Sequence, residues 1–328
     1  MLISYLFCFL LAFTISFVIS PLVIKTVIKL KAGQNILEYV EGHKTKQGTP
    51  TMCGIIFIVG TAVASLFAFN QNYTLAIMTI ISMLGFSLIG FLDDFLKIRG
   101  QHNEGLKPYQ KIIGQLGLAI ILSFFVYNFV GTEVVLPFAD TTLDIGIFII
   151  PLTIITTLAL TNAVNLLDGL DGLCSGVSIF YLLFFALILG LGVSTLPANL
   201  ALEHQNLISV CFCLIGALTA FEIFNGFPAK VFMGDTGSLA IGGFLSALAI
   251  FTGMELYVLI LGIMYVITAL SDIIQVAHYK RTKKRIFLMA PLHHHFEKKG
   301  IHENKIVLVY MIITIIIGVI TYALETII

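Results

Sequence analysis

The chain has 328 residues, 58% hydrophobic and 11% charged, with 18 basic and 18 acidic side chains and a formal net charge of zero. Soluble domains carry about 25% charged residues, so this composition excludes a soluble enzyme and a disordered chain. Zero net charge also excludes a nucleic-acid binder held by bulk positive charge, so no nucleic acid is expected as a partner.

Ten apolar runs follow one another, near 2–24, 52–69, 74–92, 112–130, 145–161, 173–191, 207–224, 238–254, 256–275 and 306–324. They predict an all-α integral membrane protein of about ten transmembrane helices, one domain over residues 1–328, with a lipid bilayer as its solvent. The first run has no basic residue before it, because the first charge is Lys25, so it reads as a retained span and not a cleaved signal. Cys8, Cys53, Cys174, Cys211 and Cys213 all lie in or beside apolar stretches and read as small buried hydrophobes.

The basic residues fix a predicted orientation. Lys25, Lys29, Lys31, Lys44 and Lys46 follow the first span; Lys97, Arg99, Lys107 and Lys111 follow the third; Lys230 follows the seventh. The remaining eight, from Lys280 to Lys305, follow the ninth. All fall after odd-numbered spans, which predicts five cytoplasmic loops and extracytoplasmic termini. The opposite loops carry acids and one histidine, and the longest, 132–144, has room for a small hairpin.

Polar side chains concentrate in the cytoplasmic loops. In GHKTKQGTPTMCG (42–54), Lys46 and Thr51 stand just before the second span, where they can position phosphates or simply hold a basic loop inside. In LDDFLK (92–97), Asp93 and Asp94 repel each other and call for a metal or for Lys97, one turn on. A cap at the end of their own helix is disfavoured, because acids at a helix C-terminus oppose its dipole. In TNAVNLLDGLDG (161–172), Asn165, Asp168 and Asp171 recur every three residues, so a helical turn would align them on one face. NGFPAKVFMGDTGSL (225–239) is a Gly-rich turn entering the eighth span, where a helix N-terminus can offer N–H groups to phosphate. In KKRIFLMAPLHHHFEKKG (283–300), His293, His294 and His295 fan over about 200° of a helix and cannot close one zinc site alone. Beside lysines they suggest an anionic ligand, while a basic interfacial loop drawn to anionic lipid remains an alternative.

Carboxylates, amides, lysines and histidines on one membrane face form an inventory for phosphoryl transfer, with magnesium suited to an all-oxygen site. The apolar helices offer a lipid substrate a place. A transporter would instead line mid-membrane positions with ionisable residues, and these spans carry almost none.

LDDFLK, NAVNLLDGLDG, VFMGDTGSLAIGG and MAPLHHHFE, in this order, resemble the phospho-N-acetylmuramoyl-pentapeptide transferase family. It belongs to the polyprenyl-phosphate N-acetylhexosamine-1-phosphate transferase superfamily, whose GlcNAc-1-phosphate branch is the alternative reading. PLHHHFE points to the first branch. The resemblance implies a ten-helix enzyme of the bacterial inner membrane, usually a homodimer, with a cytoplasmic site. It implies transfer of phospho-MurNAc-pentapeptide from UDP-MurNAc-pentapeptide to undecaprenyl phosphate with Mg2+. Carried over by motif, Asp93 matches the proposed base and Asp94 its neighbour, and Asp235 matches the acid associated with magnesium, with Asp168 a second candidate ligand. Gly169, Leu170 and Asp171 match positions near the uracil, and Phe232 the aromatic that stacks on it. Lys46, Thr51, Lys97, Lys111, Asn165 and Asn225 match polar positions of the cleft, and His293, His294 and His295 the histidine motif near the phosphates. Spacing favours Lys111 over Lys107. Cys53 and Leu167 depart from the usual Gly and Thr, which puts only one hydrogen bond in question.

Overall fold

The computed structural model describes residues 2–30, 48–69, 71–100 and 105–327. In chain order the helices are α1 (Leu2–Lys29), α2 (Ile55–Ser65), α3 (Thr74–Gly100), α4 (Pro108–Phe125), α5 (Ile149–Leu167) and α6 (Leu173–Gly192). Then come α7 (Ala198–Asn225), α8 (Gly234–Phe251), α9 (Glu255–Leu261), α10 (Ile263–Thr282), α11 (Leu292–Lys298) and α12 (Glu303–Glu325).

Among the described residues, eight helices are long and apolar enough to cross a bilayer, and α9 with α10 makes a ninth if that pair, bent by 84°, is one span. The second apolar run behaves differently: its helix α2 has 11 residues, about 16 Å at 1.5 Å per residue, against a hydrocarbon core of about 30 Å. The chain is therefore a multi-pass membrane protein. The bend of α9–α10 falls at Gly262, where a side chain would meet the Val258 carbonyl and the rings of Tyr181 and Tyr265.

α8 is the centre of the bundle, with 89% of its length buried, against 22% for the apolar stretch of α1. It packs on α3 and α5, while α7 packs on α1, α2 and α6, and α6 on α12. Lipid tails are as apolar as leucine, so such helices are held by close packing of small residues. A Cβ on Gly242 would lie 2.6 Å from the Thr161 Cα, and one on Gly90 of α3 would lie 2.0 Å from the Asp235 carbonyl oxygen. The start of α8 is thus seated directly on the acidic end of α3.

The 132–144 loop does form a hairpin. Strands β1 (Glu133–Val135) and β2 (Thr142–Asp144) pair antiparallel, and the Val135 N–H donates to the Gly253 carbonyl at 2.8 Å, tying the hairpin to the start of α9. All five cysteines are buried.

Candidate active site

The acidic pair at the inner end of α3 divides its work. Asp94 turns to α8: its Oδ1 accepts from the Asp235 N–H at 3.2 Å, and its Oδ2 accepts from the Thr236 N–H at 2.8 Å and the Thr236 hydroxyl at 2.7 Å. It caps another helix's positive end, where the dipole favours a carboxylate. Those N–H groups were expected to be open to phosphate and are instead taken by Asp94. Asp93 keeps different partners. Its Oδ1 accepts from the Leu106 N–H at 2.8 Å, and its Oδ2 lies 2.5 Å from the Lys97 ammonium.

Asp235, in the first turn of α8, collects the remaining groups. Its Oδ2 is 2.9 Å from Lys97 Nζ and 3.0 Å from Lys111 Nζ, and its Oδ1 accepts from Asn165 Nδ2 at 2.7 Å. Asn165 Nδ2 also reaches Ser238 Oγ at 2.8 Å, and Lys111 Nζ reaches Asn165 Oδ1 at 3.4 Å. Lys111 therefore joins the cluster from α4, while Lys107 is exposed at that helix's start. Four helices, α3, α4, α5 and α8, meet here.

The central motif does not form one helical face. α5 stops at Leu167, and Asp168 caps it outside the helical region, because the glycines that follow favour a turn and Gly172 adopts φ +73°. Asn165 joins Asp235. Asp168 is half-buried beside the acidic cluster; loss of hydration, then Asp235, Asp94 and Asp171, push its carboxyl up to about 8. Asp171 serves the next loop: its Oδ2 accepts from the Ala229 N–H at 2.9 Å, and its own N–H donates to Glu303 Oε1 at 2.6 Å. Asn225 holds both sides of that loop, donating to the Val231 carbonyl at 2.9 Å and accepting from the Gly172 N–H at 3.3 Å. Leu170 is buried beneath the turn.

On the N-terminal side, the Cys53 N–H donates to the Phe232 carbonyl and the Phe232 N–H to the Pro50 carbonyl, a ladder that sets Thr51 beside α8. A Cβ on Gly234 would lie 2.5 Å from Asp94 Oδ2 and 2.9 Å from Thr51 Oγ1. Lys46 lies outside the described residues.

The three histidines separate as a short helix requires. His293 is fully buried, with neither ring nitrogen hydrogen-bonded, and burial followed by His294 holds its pKa well below the ordinary value. A Cβ on Gly169 would lie 2.3 Å from His293 Nε2 and 3.0 Å from His294 Nε2, so the absent side chain lets both rings reach the turn beside Asp168. His294 Nδ1 pairs with Glu297 Oε2 at 2.9 Å. His295 points elsewhere: its Nδ1 accepts from the Leu288 N–H at 3.0 Å and its ring packs against Phe287.

A metal fits this donor set. Asp93, Asp94 and Asp235 each bring a carboxylate oxygen within 4.8 Å of the others, hard oxygen ligands of the kind magnesium takes, and the Lys97 ammonium is the cation now nearest to all three. Asp168, expected as a ligand with Asp235, lies outside that trio among the described residues.

Ser238, singled out with Asp235 in the 225–239 segment, does join the site through Asn165. Sequence reading missed Thr236 and Glu303 as partners; Thr236 directly follows Asp235, a visible signal. Glu303 carried none, since it is an ordinary first-turn acid of α12.

Residues 76–253 match glycosyl transferase family 4. The chain is 44% identical to the phospho-N-acetylmuramoyl-pentapeptide-transferase of Clostridium botulinum (strain Eklund 17B / Type B), over 90% of this chain and 88% of the relative. Identity is again 44%, with the same two coverages, to the proteins of that name from Clostridium perfringens (strain SM101 / Type A) and Clostridium novyi (strain NT). With this similarity running nearly end to end, and with the site at the junction of its helices, the chain belongs to the phospho-N-acetylmuramoyl-pentapeptide transferases of glycosyl transferase family 4.

Proposed function

We propose that this chain transfers phospho-MurNAc-pentapeptide from UDP-MurNAc-pentapeptide to undecaprenyl phosphate, giving lipid I and UMP in peptidoglycan synthesis. The observation that carries this reading is the convergence of Asp93, Lys97, Lys111, Asn165 and Asp235 from four helices in a chain of this family.

Both substrates are anionic, so their approach is opposed by like charge. Lys97 and Lys111 already share Asp235 and are placed to turn toward phosphate oxygens, offsetting that repulsion. Asp93 takes the last proton of the lipid phosphate, whose pKa is about 6, so a modest base suffices. Magnesium would be held by Asp235, with Asp168 alongside, and would neutralise charge on the transferring group. Asn165 keeps Asp235 oriented, and His294, fixed by Glu297, presents its other nitrogen to phosphate beside Gly169. Gly169 and Phe232 border the uridine, with Thr51 at the rim; the buried Leu170, Asp171 and Asn225 hold the turns beneath it, and His295 holds the loop before the histidines.

The reading includes one domain of ten spans in the bacterial inner membrane, α2 being the short second span. Both termini are outside, the site is cytoplasmic, and the enzyme is a homodimer. The test is UMP release by detergent-purified protein given UDP-MurNAc-pentapeptide, undecaprenyl phosphate and magnesium. Release that needs all three and is lost in Asp235→Ala is expected. Release with UDP-GlcNAc alone would move the chain to the sister branch, and silence with both, from folded protein, would overturn the assignment.

A further inference from the structure

Residues 280–285 read Lys-Arg-Thr-Lys-Lys-Arg, closing α10 and opening the connection to α11. No step of the transfer reaction uses them. All six are exposed, and among the described residues none of the five cations forms an ion pair. The polar partners they do have are few: Lys283 lies 5.9 Å from the Tyr279 ring centre, and Arg285 Nη1 donates to the Leu288 carbonyl at 3.3 Å. Lys280 and Arg281 gain from the negative end of α10, whereas the three cations of the turn lie past it.

The neighbours of this segment are apolar and exposed. Ile273 (61% exposed), Ile274 and Val276 line the outer face of α10, Tyr279 (46%) stands on its last turns, and Leu288 (51%) follows the turn. The cations therefore begin where a lipid-facing surface ends, the depth of the headgroups, with an aromatic ring at the boundary.

The turn is also built in advance. Lys283 reverses the chain at φ +56°. Gln275 Oε1 accepts from the Ile286 and Phe287 N–H groups at 3.0 Å each, and its Nε2 donates to the Phe287 carbonyl at 3.0 Å. The Lys284 N–H donates to Thr282 Oγ1 at 3.2 Å. A preset backbone leaves little ordering cost when several cations engage one polyanionic surface.

We propose that the 280–285 turn is a docking surface for the anionic phosphodiester headgroups of bilayer lipids. A soluble anion would satisfy the charges but would leave the flanking Ile273, Tyr279 and Leu288 uncovered. A lipid covers both.

The experiment is native mass spectrometry of the full chain in neutral detergent, titrated with phosphatidylglycerol or with phosphatidylcholine of the same acyl chains. Wild type is expected to retain phosphatidylglycerol in preference. The fivefold variant Lys280→Gln, Arg281→Gln, Lys283→Gln, Lys284→Gln, Arg285→Gln is expected to lose about tenfold of that retention, and the pair Lys283→Gln, Lys284→Gln part of it. Unchanged phosphatidylcholine binding and an unchanged thermal transition would show both variants folded. Equal retention of the two lipids by wild type, or equal phosphatidylglycerol retention by wild type and the paired variant, would overturn the proposal. So would displacement of the lipid by millimolar inorganic phosphate as readily as by added phosphatidylglycerol, because the surface would then recognise only the anion.

Discussion

Asp93 and Asp94 are neighbours in sequence with separable jobs. Asp94→Ala leaves three buried donors at the start of α8 without an acceptor, and a loss of about 3 kcal/mol in stability is expected. Asp93→Asn keeps the bond from Leu106 and the α8 cap but removes the proposed base. Its turnover is expected to fall about 100-fold with stability nearly unchanged. Denaturation midpoints and UMP release on the two variants check the division; an Asp94→Ala protein as stable as wild type would refute the capping role. His293 supplies a pH test. Its imidazole is buried and held neutral in the fold, while the unfolded chain takes up a proton below the ordinary histidine value of about 6.5. Protonation therefore favours unfolding, and stability is lost as pH falls below about 6.5. The melting temperature of wild type is expected to drop between pH 7 and pH 5 more steeply than that of His293→Gln. Parallel curves would mean that the ring is already solvated. The sequence announced the residue types at these positions but not their direction. Asp94 caps a helix 141 residues away, and no local pattern encodes that.

Among the elements, the connection between α10 and α11 decides where the histidines stand. Gln275 fixes Ile286 and Phe287, and the Leu292 N–H donates to Ser271 Oγ at 3.0 Å, so α10 clips both ends of the segment that leads to His293. Gln275→Leu removes three hydrogen bonds of this clip, and turnover is expected to fall about tenfold, with KM for the nucleotide sugar less affected. Gln275→Glu keeps the two acceptor roles and is expected to recover most of the loss. A Glu variant as poor as Leu would argue that burial, not hydrogen bonding, matters there. The helices themselves were legible from apolar runs. The halt of α5 at Leu167 was not, because the Asn-Asp spacing suggested a continuing turn, and the glycines after each Asp, with Gly172 in the left-handed region, overrode it. The bend between α9 and α10 was equally hidden, since hydropathy reads length and not direction.

For the whole molecule, the proposed orientation places Asp140 outside and Lys284 inside. All five native thiols are buried, so an impermeant maleimide should label an introduced cysteine over a low background. Asp140→Cys is expected to react in intact cells and Lys284→Cys only after permeabilisation; the reverse would invert the topology. By itself the sequence determined the membrane class, the succession of apolar helices, the segregation of charge and the residues that gather as a site, because hydropathy and charge partition between lipid and water position by position. Only the tertiary structure decided which carboxylate caps and which faces the cleft. It also decided that Asp171 turns to the 226–231 loop and that His295 turns away from its neighbours. Those choices depend on how closely α3, α5 and α8 approach across glycines, a distance set by packing between helices far apart in the chain.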